Sequence, residues 1–313
     1  MILAVTHEED EDAPAVLDEL SRLGAEVAVV DLARFPGLGA VAFEHGGYGA
    51  GDRWLLPRAG PAVRAAEVTA VWWRRTRPHV PHPGLSPADA GFAVRQTEEA
   101  VRGFFGALDA RFVNDPWRDA AACHKPRQLA AAEAAGLAVP ATLVTSDPAR
   151  ARAFVEARRG ERVVHKALHA TTVDWHPTRF LEGRDLARLE AVRLAPVILQ
   201  AYVPGVDVRA IAVGDRLFAA EIDATATSSP QDFREVWDDC RVAPVELPDE
   251  VAAGLRRVMA SLGLAYGAFD LRRRDDGRHL FLEVNPSGLW RFVEHRTGQP
   301  ISRAIAEALC GRA

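Results

Sequence analysis

Two carboxylates set opposite each other on one predicted hairpin constrain this chain more than any other feature. Residues 266–290 read YGAFDLRRRDDGRHLFLEVNPSGLW. Asp276-Gly277 is a two-residue turn signal of the kind that takes positive φ at both positions. Apolar-rich runs flank it, residues 267–271 before and 279–284 after. Closing the turn there pairs Asp275 with Arg278. Counting outward along an antiparallel ladder then sets Asp270 directly opposite Glu283. Period-two alternation places Glu283 and Asn285 on one face and turns Leu280, Leu282 and Val284 toward a core. Like charges directly opposite one another repel, so stability alone does not select this pairing. A divalent cation between the two acids removes the repulsion, and carboxylate and amide oxygens suit Mg²⁺. Two readings stay open at this level, a metal site or a solvated face with two unrelated acids. A three-residue turn would also shift the register.

The 313 residues suffice for two or three packed subdomains. The formal net charge of -5 leaves no general nucleic-acid footprint. Cys123, Cys240 and Cys310 are far apart, with no CxxC pair. That spacing argues against a structural zinc site or a disulfide framework and for a reducing compartment. No apolar run approaches membrane-spanning length, and the start, MILAVTHEEDED, lacks the pattern of a signal peptide. The expectation is a cytoplasmic protein that binds neither membrane nor nucleic acid.

The chain opens βαβ. Residues 2–5 are a short apolar strand, and 13–23 an amphipathic helix with Val16, Leu17, Leu20 and Leu23 on one stripe. Residues 26–31 (EVAVVD) are a second strand. A small parallel α/β domain follows from that order, with the acidic run 8–12 supplying first-turn charge to the helix. GGYGAG at 46–51 misses the GxGxxG spacing and reads as a loop. There is no GxxxxGK[ST] motif. In residues 71–78, VWWRRTRP, two readings hold equally: a contact surface for peptide or phosphate, or buried Trp beside solvated Arg. Further helices are expected at 88–108, 119–135, 147–158, 248–262 and 300–309, and strands at 142–145, 162–167 and 197–203. Gly214-Asp215 marks a second hairpin, between 206–213 and 217–223. Lys166 lies inside an apolar strand, either snorkelling outward or aimed at an anion. His165 and His169 have no third ligand at zinc spacing. Residues 225–239, including Arg234, read as a mobile loop.

In order along the chain stand Lys125, Lys166, VILQAYV (197–203), GVDVR (205–209), Arg234, Asp270, Glu283 and Asn285. This series resembles the ATP-grasp fold, with a parallel α/β pre-ATP-grasp domain in front. Within that fold it is similar to the microviridin-type graspetide ligases and the related ribosomal-protein glutamate ligases. FLEVNPSGLWRFVEHRTGQPI (281–301) and HKPRQLAAAEAAGLAVPATLVT (124–145) carry the likeness, together with VWWRRTRP and NDP (114–116). The resemblance implies an α/β protein with a pre-ATP-grasp domain at 1–115, a central subdomain at 116–195 and a C-terminal subdomain at 196–313. It implies ATP and Mg²⁺ as cofactors. Lys125 and Lys166 would reach the ATP phosphates. Gln200, Ala201, Tyr202 and Val203 would form the adenine strand, with Asp207 near the ribose. Arg209 or Arg234 would steady the γ-phosphate and the acyl phosphate formed from it, and Asp270, Glu283 and Asn285 would hold Mg²⁺. This chain departs from relatives at Ala201, where many carry Glu, and at Leu289, where graspetide ligases tend to have Gln. Residues 167–175 (ALHATTVDW) also lack the glycines of many phosphate loops.

The implied chemistry is carboxylate activation through an acyl phosphate, which an amine or hydroxyl then attacks. Residues 170–178 and 225–239 are the candidate lids over that intermediate. Three functions remain in view. The first is a ligase making side-chain ester or amide crosslinks in a ribosomally made precursor peptide with a leader segment. Its leader would dock at 72–77 or on the hairpin 206–223, with 287–294 nearest the core peptide. The second is a glutamate or amino-acid ligase of the same fold, and the third an ATP-binding regulator. Family analogy suggests a homodimer.

Overall fold

A computed structural model describes residues 1–45, 53–57, 62–168 and 176–312. The loop expected at 46–51, His169 and most of the first candidate lid lie outside the described residues. The chain divides into two compact units. One holds residues 1–117, 264–266 and 300–313, the other 118–263 and 267–299.

In the first unit, Ile2–Val5 (β1), Ala13–Arg22 (α1) and Val27–Val30 (β2) form the expected βαβ opening, with β1 and β2 parallel. Val16 and Leu20, one turn apart, bury the inner stripe of α1, and Gly24 ends it at a φ of +72°. Gly39–Phe43 (β3), Arg53–Pro57 (β4) and Val63–Arg64 (β5) make a small antiparallel sheet. Ala70–Trp73 (β6) runs parallel to β1. After Pro87–Gly106 (α2), Arg111–Val113 (β7) completes a parallel sheet ordered β2-β1-β6-β7. Leu3, Val5, Val30, Val71, Phe104 and Phe105 lie in its core. The side chain of Asn114 clamps residues 265 and 266 into this unit. Its Oδ1 accepts from the Ala265 and Tyr266 amides at 2.7 and 2.8 Å, and its Nδ2 donates to the Tyr266 carbonyl at 2.9 Å.

Two expectations are corrected here. Trp72 in VWWRRTRP is buried and Arg74 is 2% exposed, which takes these two side chains out of any contact surface, whereas Thr76 and Pro78 are exposed. Arg74 pairs with Asp10 at 3.0 Å and Asp12 at 3.2 Å. Those acids therefore neutralise a buried guanidinium, and no acid stands in the first turn of α1. A buried Arg needs partners in its own plane, and the loop after β1 supplies them.

The second unit begins within Pro116–Ala122 (α3), at Arg118, and continues with Lys125–Ala134 (α4). The single helix expected over 119–135 is thus broken. Pro126 has no N–H and fits only a first turn, so His124 is extended (φ -76°, ψ 110°) and a new helix starts at Lys125. Thr142–Thr145 (β8) leads to Pro148–Glu156 (α5), which Asp147 caps by accepting from the Ala149 and Arg150 amides. Val163–Lys166 (β9), Arg179–Phe180 (β10), Gly183–Leu186 (α6) and Val197–Ala201 (β11) follow. These strands form an antiparallel sheet ordered β10-β9-β11-β8. Val206–Val213 (β12) and Arg216–Asp223 (β13) close on Gly214-Asp215 as expected, with Gly214 at a φ of +56°. Arg241–Pro244 (β14), Asp249–Leu262 (α7), Tyr266–Arg273 (β15), His279–Asn285 (β16) and Arg291–Thr297 (α8) complete the unit. The second sheet is ordered β14-β13-β12-β15-β16. The last helix, Ile301–Leu309 (α9), packs on α1 in the first unit.

Residues 225–239 are not an open loop. They form two short 3-10 turns in which Phe233, Val236 and Trp237 pack on Ile222, Ala224 and Cys240. Thr178 donates its amide to Asp232 at 3.0 Å. The hairpin 206–223 also offers less surface than expected. Seven of the eight residues of β12 are buried, and β13 is covered by β14 on its outer edge.

Candidate active site

The hairpin of β15 and β16 brings Asp270 opposite Glu283, as the sequence suggests, but by a different path. The turn has three residues. The Arg274 amide bonds the Arg278 carbonyl at 2.9 Å, Gly277 takes a φ of +81°, and Arg273 pairs with His279. That shifts the register by one. A bulge between Asp270 and Leu271 shifts it back, since Leu271 pairs with Phe281 and Asp270 with Glu283. The bulge also changes the buried set: Phe281 and Val284 are in the core, whereas Leu280 and Leu282 are half-buried. The predicted pairing of Asp275 with Arg278 does not form.

Each acid has its own cation. Lys125 Nζ lies 2.7 Å from Glu283, and Arg209 on β12 donates to Asp270 at 2.7 Å. Asn285 Nδ2 bridges the two carboxylates at 3.4 and 3.3 Å. The arrangement splits their acidity. Burial favours the neutral form of Glu283, but the charges of Lys125 and Lys166 outweigh it and hold this carboxyl below the usual range. Burial pushes Asp270 up; Arg209 opposes that and the Glu283 charge adds to it. Lys166 on β9 feels both acids, and burial lowers its pKa. Arg209 also donates to the Leu289 carbonyl at 2.9 Å, while its Nε is buried with no partner among the described residues. Arg234 is held flat by Asp232 through bonds of 2.7 and 2.7 Å. Burial works against its charge, but those bonds keep its pKa above the ordinary value.

Gly288 is required beside this cluster. A Cβ there would lie 2.4 Å from Ala268 Cβ, 3.0 Å from Arg209 and 3.1 Å from Asn285 Cβ. One residue that sequence reading missed ties the cluster together. Gln128, on α4 three residues after Lys125, is 1% exposed. Its Nε2 donates to the Val284 carbonyl at 2.7 Å and the Ala122 carbonyl at 2.6 Å, and its Oε1 accepts from the Val284 amide at 3.1 Å. It locks the helix of Lys125 to the strand residue between Glu283 and Asn285. The one available signal was its i, i+3 spacing from Lys125.

On β11, Gln200 is buried and bonds Thr142 at 2.8 Å. The Ala201 and Tyr202 amides bond the carbonyls of Ala141 and Arg162 at 2.9 and 2.8 Å, and no partner for the Val203 amide stands among the described residues. Asp207 is paired with Arg272 at 2.6 Å. Burial raises its pKa to about 6 against the pull of Arg272.

No three His, Cys, Asp or Glu side chains gather at metal-binding distance among the described residues. A cation at the hairpin would therefore have two carboxylates and one amide from the protein. That oxygen set fits Mg²⁺, which keeps waters and takes phosphate oxygens, and does not fit zinc. A half-turn of the Asn285 amide would present its oxygen.

The chain has the ATP-grasp fold. Residues 1–120 match the family model of the MvdD pre-ATP grasp domain. The whole chain is similar to macrocyclase MdnC bound with precursor peptide MdnA from Microcystis aeruginosa MRC. Identity is 26% and the TM-score 0.87, covering 100% of this chain and 99% of that one. Macrocyclase MdnB from the same organism is 28% identical at a TM-score of 0.82, covering 98% of each chain. ATP-grasp ligase PsnB, complexed with a minimal precursor, Mg and ADP, is 27% identical at 0.78, covering 99% of this chain and 96% of that one. A search of curated protein sequences finds no match. The likeness to the microviridin-type graspetide ligases, carried by the motifs of the sequence, is thereby borne out. No helix among the described residues is long and apolar enough to cross a membrane.

Proposed function

We propose that this protein uses ATP and Mg²⁺ to form side-chain ester or amide crosslinks in a ribosomally made precursor peptide. The observation that carries the reading is the pair Asp270 and Glu283, held face to face between Lys125, Arg209 and Asn285. Its likeness over its full length to peptide-bound macrocyclases supports the choice of substrate.

A carboxylate is a poor acyl donor because its leaving group would be oxide. Transfer of the γ-phosphoryl group from ATP to a peptide Asp or Glu gives an acyl phosphate and ADP. A Thr, Ser or Lys side chain then attacks the acyl carbon, and phosphate leaves. Such a reaction rests on positioning and charge neutralisation, and it needs no protein nucleophile. Lys125 at the first turn of α4 and Lys166 on β9 are the cations for the transferred phosphates. Arg209 and Arg234 are the guanidinium groups for the acyl phosphate. Asp270, Glu283 and Asn285 would hold Mg²⁺, which supplies neutralisation of the phosphate charge when bound. Gln200, Ala201, Tyr202 and Val203 form the base site, with the Val203 amide as its donor. The ATP-grasp subdomains are the stretches 116–195 and 196–313, apart from residues 264–266 and 300–313, which belong to the first unit. The leader segment docks near the exposed end of the β12–β13 hairpin, and the enzyme acts as a homodimer in the cytoplasm.

The test is incubation with ATP, Mg²⁺ and a Thr- and Glu- or Asp-rich peptide encoded beside this protein's own reading frame. Loss of one water per crosslink, read by mass spectrometry, is the expected result. ATP turnover with free glutamate alone would overturn the peptide reading. ATP binding without turnover on any acceptor would make the protein a regulator.

A further inference from the structure

Arg272 is 3% exposed and stands two residues beyond Asp270 on β15. Its guanidinium is bonded on every side. Nε donates to the Val203 carbonyl at 3.0 Å. Nη2 donates to the Tyr202 hydroxyl at 2.9 Å and the Pro230 carbonyl at 2.5 Å, and Nη1 lies 2.6 Å from Asp207. One side chain thus joins the segment leaving β11, the start of β12 and the stretch that carries Arg234.

The bonding decides what residues 202–203 can offer. The Tyr202 amide is committed to Arg162, and the Val203 carbonyl and Tyr202 hydroxyl to Arg272. Pro204 has no N–H. Among the described residues, the groups left over are the Tyr202 carbonyl and the Val203 amide, the latter in a residue only 9% exposed. A buried N–H without a partner costs free energy until a ligand supplies an acceptor. A purine edge has such an acceptor beside a donor.

We propose that Arg272 is a positioning residue for the nucleotide. It fixes the Tyr202–Val203 segment so that the Val203 amide is left for the base. It also ties the Arg234 stretch, at Pro230, to the strand that carries Asp270. Asp207 is then the counterion of Arg272 and no ribose ligand. The inference rests on the reading of residues 200–203 as the base site.

The experiment compares wild type with Arg272→Met, Arg272→Lys and Tyr202→Phe. It measures Kd for ADP by calorimetry and KM and kcat for ATP in the ligation assay. Loss of the guanidinium removes three neutral bonds, so Arg272→Met raises Kd and KM by about tenfold or more, with kcat at saturation changed by less than about threefold. Arg272→Lys gives no rescue, because an ammonium group cannot meet four acceptors laid out in a guanidinium plane. Tyr202→Phe, which keeps Arg272 and the fold, raises both constants by roughly twofold to fivefold. It decides the matter if Arg272→Met does not fold. Wild-type nucleotide affinity in folded variants would overturn the inference, as would a fall in kcat at unchanged Kd. Failure of the wild type to bind ADP or ATP would instead overturn the base-site reading, and the inference with it.

Discussion

Gln128→Leu is the sharpest test of how the site is held. The substitution keeps the side chain's size and removes its polar atoms. Three backbone groups then lose partners: the Val284 amide, the Val284 carbonyl and the Ala122 carbonyl, now bonded at 3.1, 2.7 and 2.6 Å. All three lie at a buried position, so each costs about 1–3 kcal/mol when left unmade. Burying leucine in place of an amide returns about 1–2 kcal/mol. The net loss is about 1–8 kcal/mol, and for a unit of this size each kcal/mol lowers Tm by about 2–4 °C. Freed from its clamp, β16 shifts on α4, and the Lys125–Glu283 pair, now 2.7 Å, opens. Thermal unfolding followed by circular dichroism reads the first effect, and KM for Mg-ATP, which rises, reads the second. Gln128→Glu is the control. Its carboxylate can accept from Val284 but cannot donate, so it unfolds at least as easily at neutral pH and recovers as the solution is acidified and the acid becomes a donor. A Tm within a degree or so of wild type for Gln128→Leu, with unchanged KM, would refute the clamp.

Glu283→Gln and Asp270→Asn each abolish ligation while the far-ultraviolet spectrum stays native; full activity in both variants would remove the metal assignment. Asp207 gives a pH signature. Its folded pKa, about 6, lies about two units above the ordinary carboxyl value. The folded state therefore holds this proton more tightly than the unfolded one. The stabilisation it brings is complete below about pH 4 and is lost as the pH rises through 6, by about 3 kcal/mol. Relative to wild type, Asp207→Asn becomes more stable across that window, and a stability difference independent of pH in urea melts would sink the idea. In the first unit, Arg74→Met takes the guanidinium away from Asp10 and Asp12, both buried. It costs about 3–5 kcal/mol, again read by urea melts.

Much of the site was legible in the chain because its parts are local. The βαβ opening, the Gly214-Asp215 hairpin and the helix ended by Gly263 follow from period, turn chemistry and caps within a few residues. The hairpin of Asp270 and Glu283 shows the limit of that logic. Two-residue closure on Asp276-Gly277 is one register off, and the bulge at Leu271 restores the pairing. The sequence pattern carries no sign of that bulge. Lys125 is a related case. Composition favours one long helix through 119–135, and only Pro126 marks the break that sets Lys125 in a first turn.

By itself, then, the sequence determined the alternation that puts Glu283 and Asn285 on one face, and the residue types suited to phosphates and a hard cation, while the bulge that sets Asp270 opposite Glu283 came with the fold. Tertiary structure decided which charges neutralise which. Arg74 finds Asp10 and Asp12 in place of an external anion, and Arg272 takes Asp207. Gln128 reaches a strand 156 residues further along the chain. A buried charge or amide must meet its partners in low dielectric wherever the fold brings them, and separation along the chain sets no such distance.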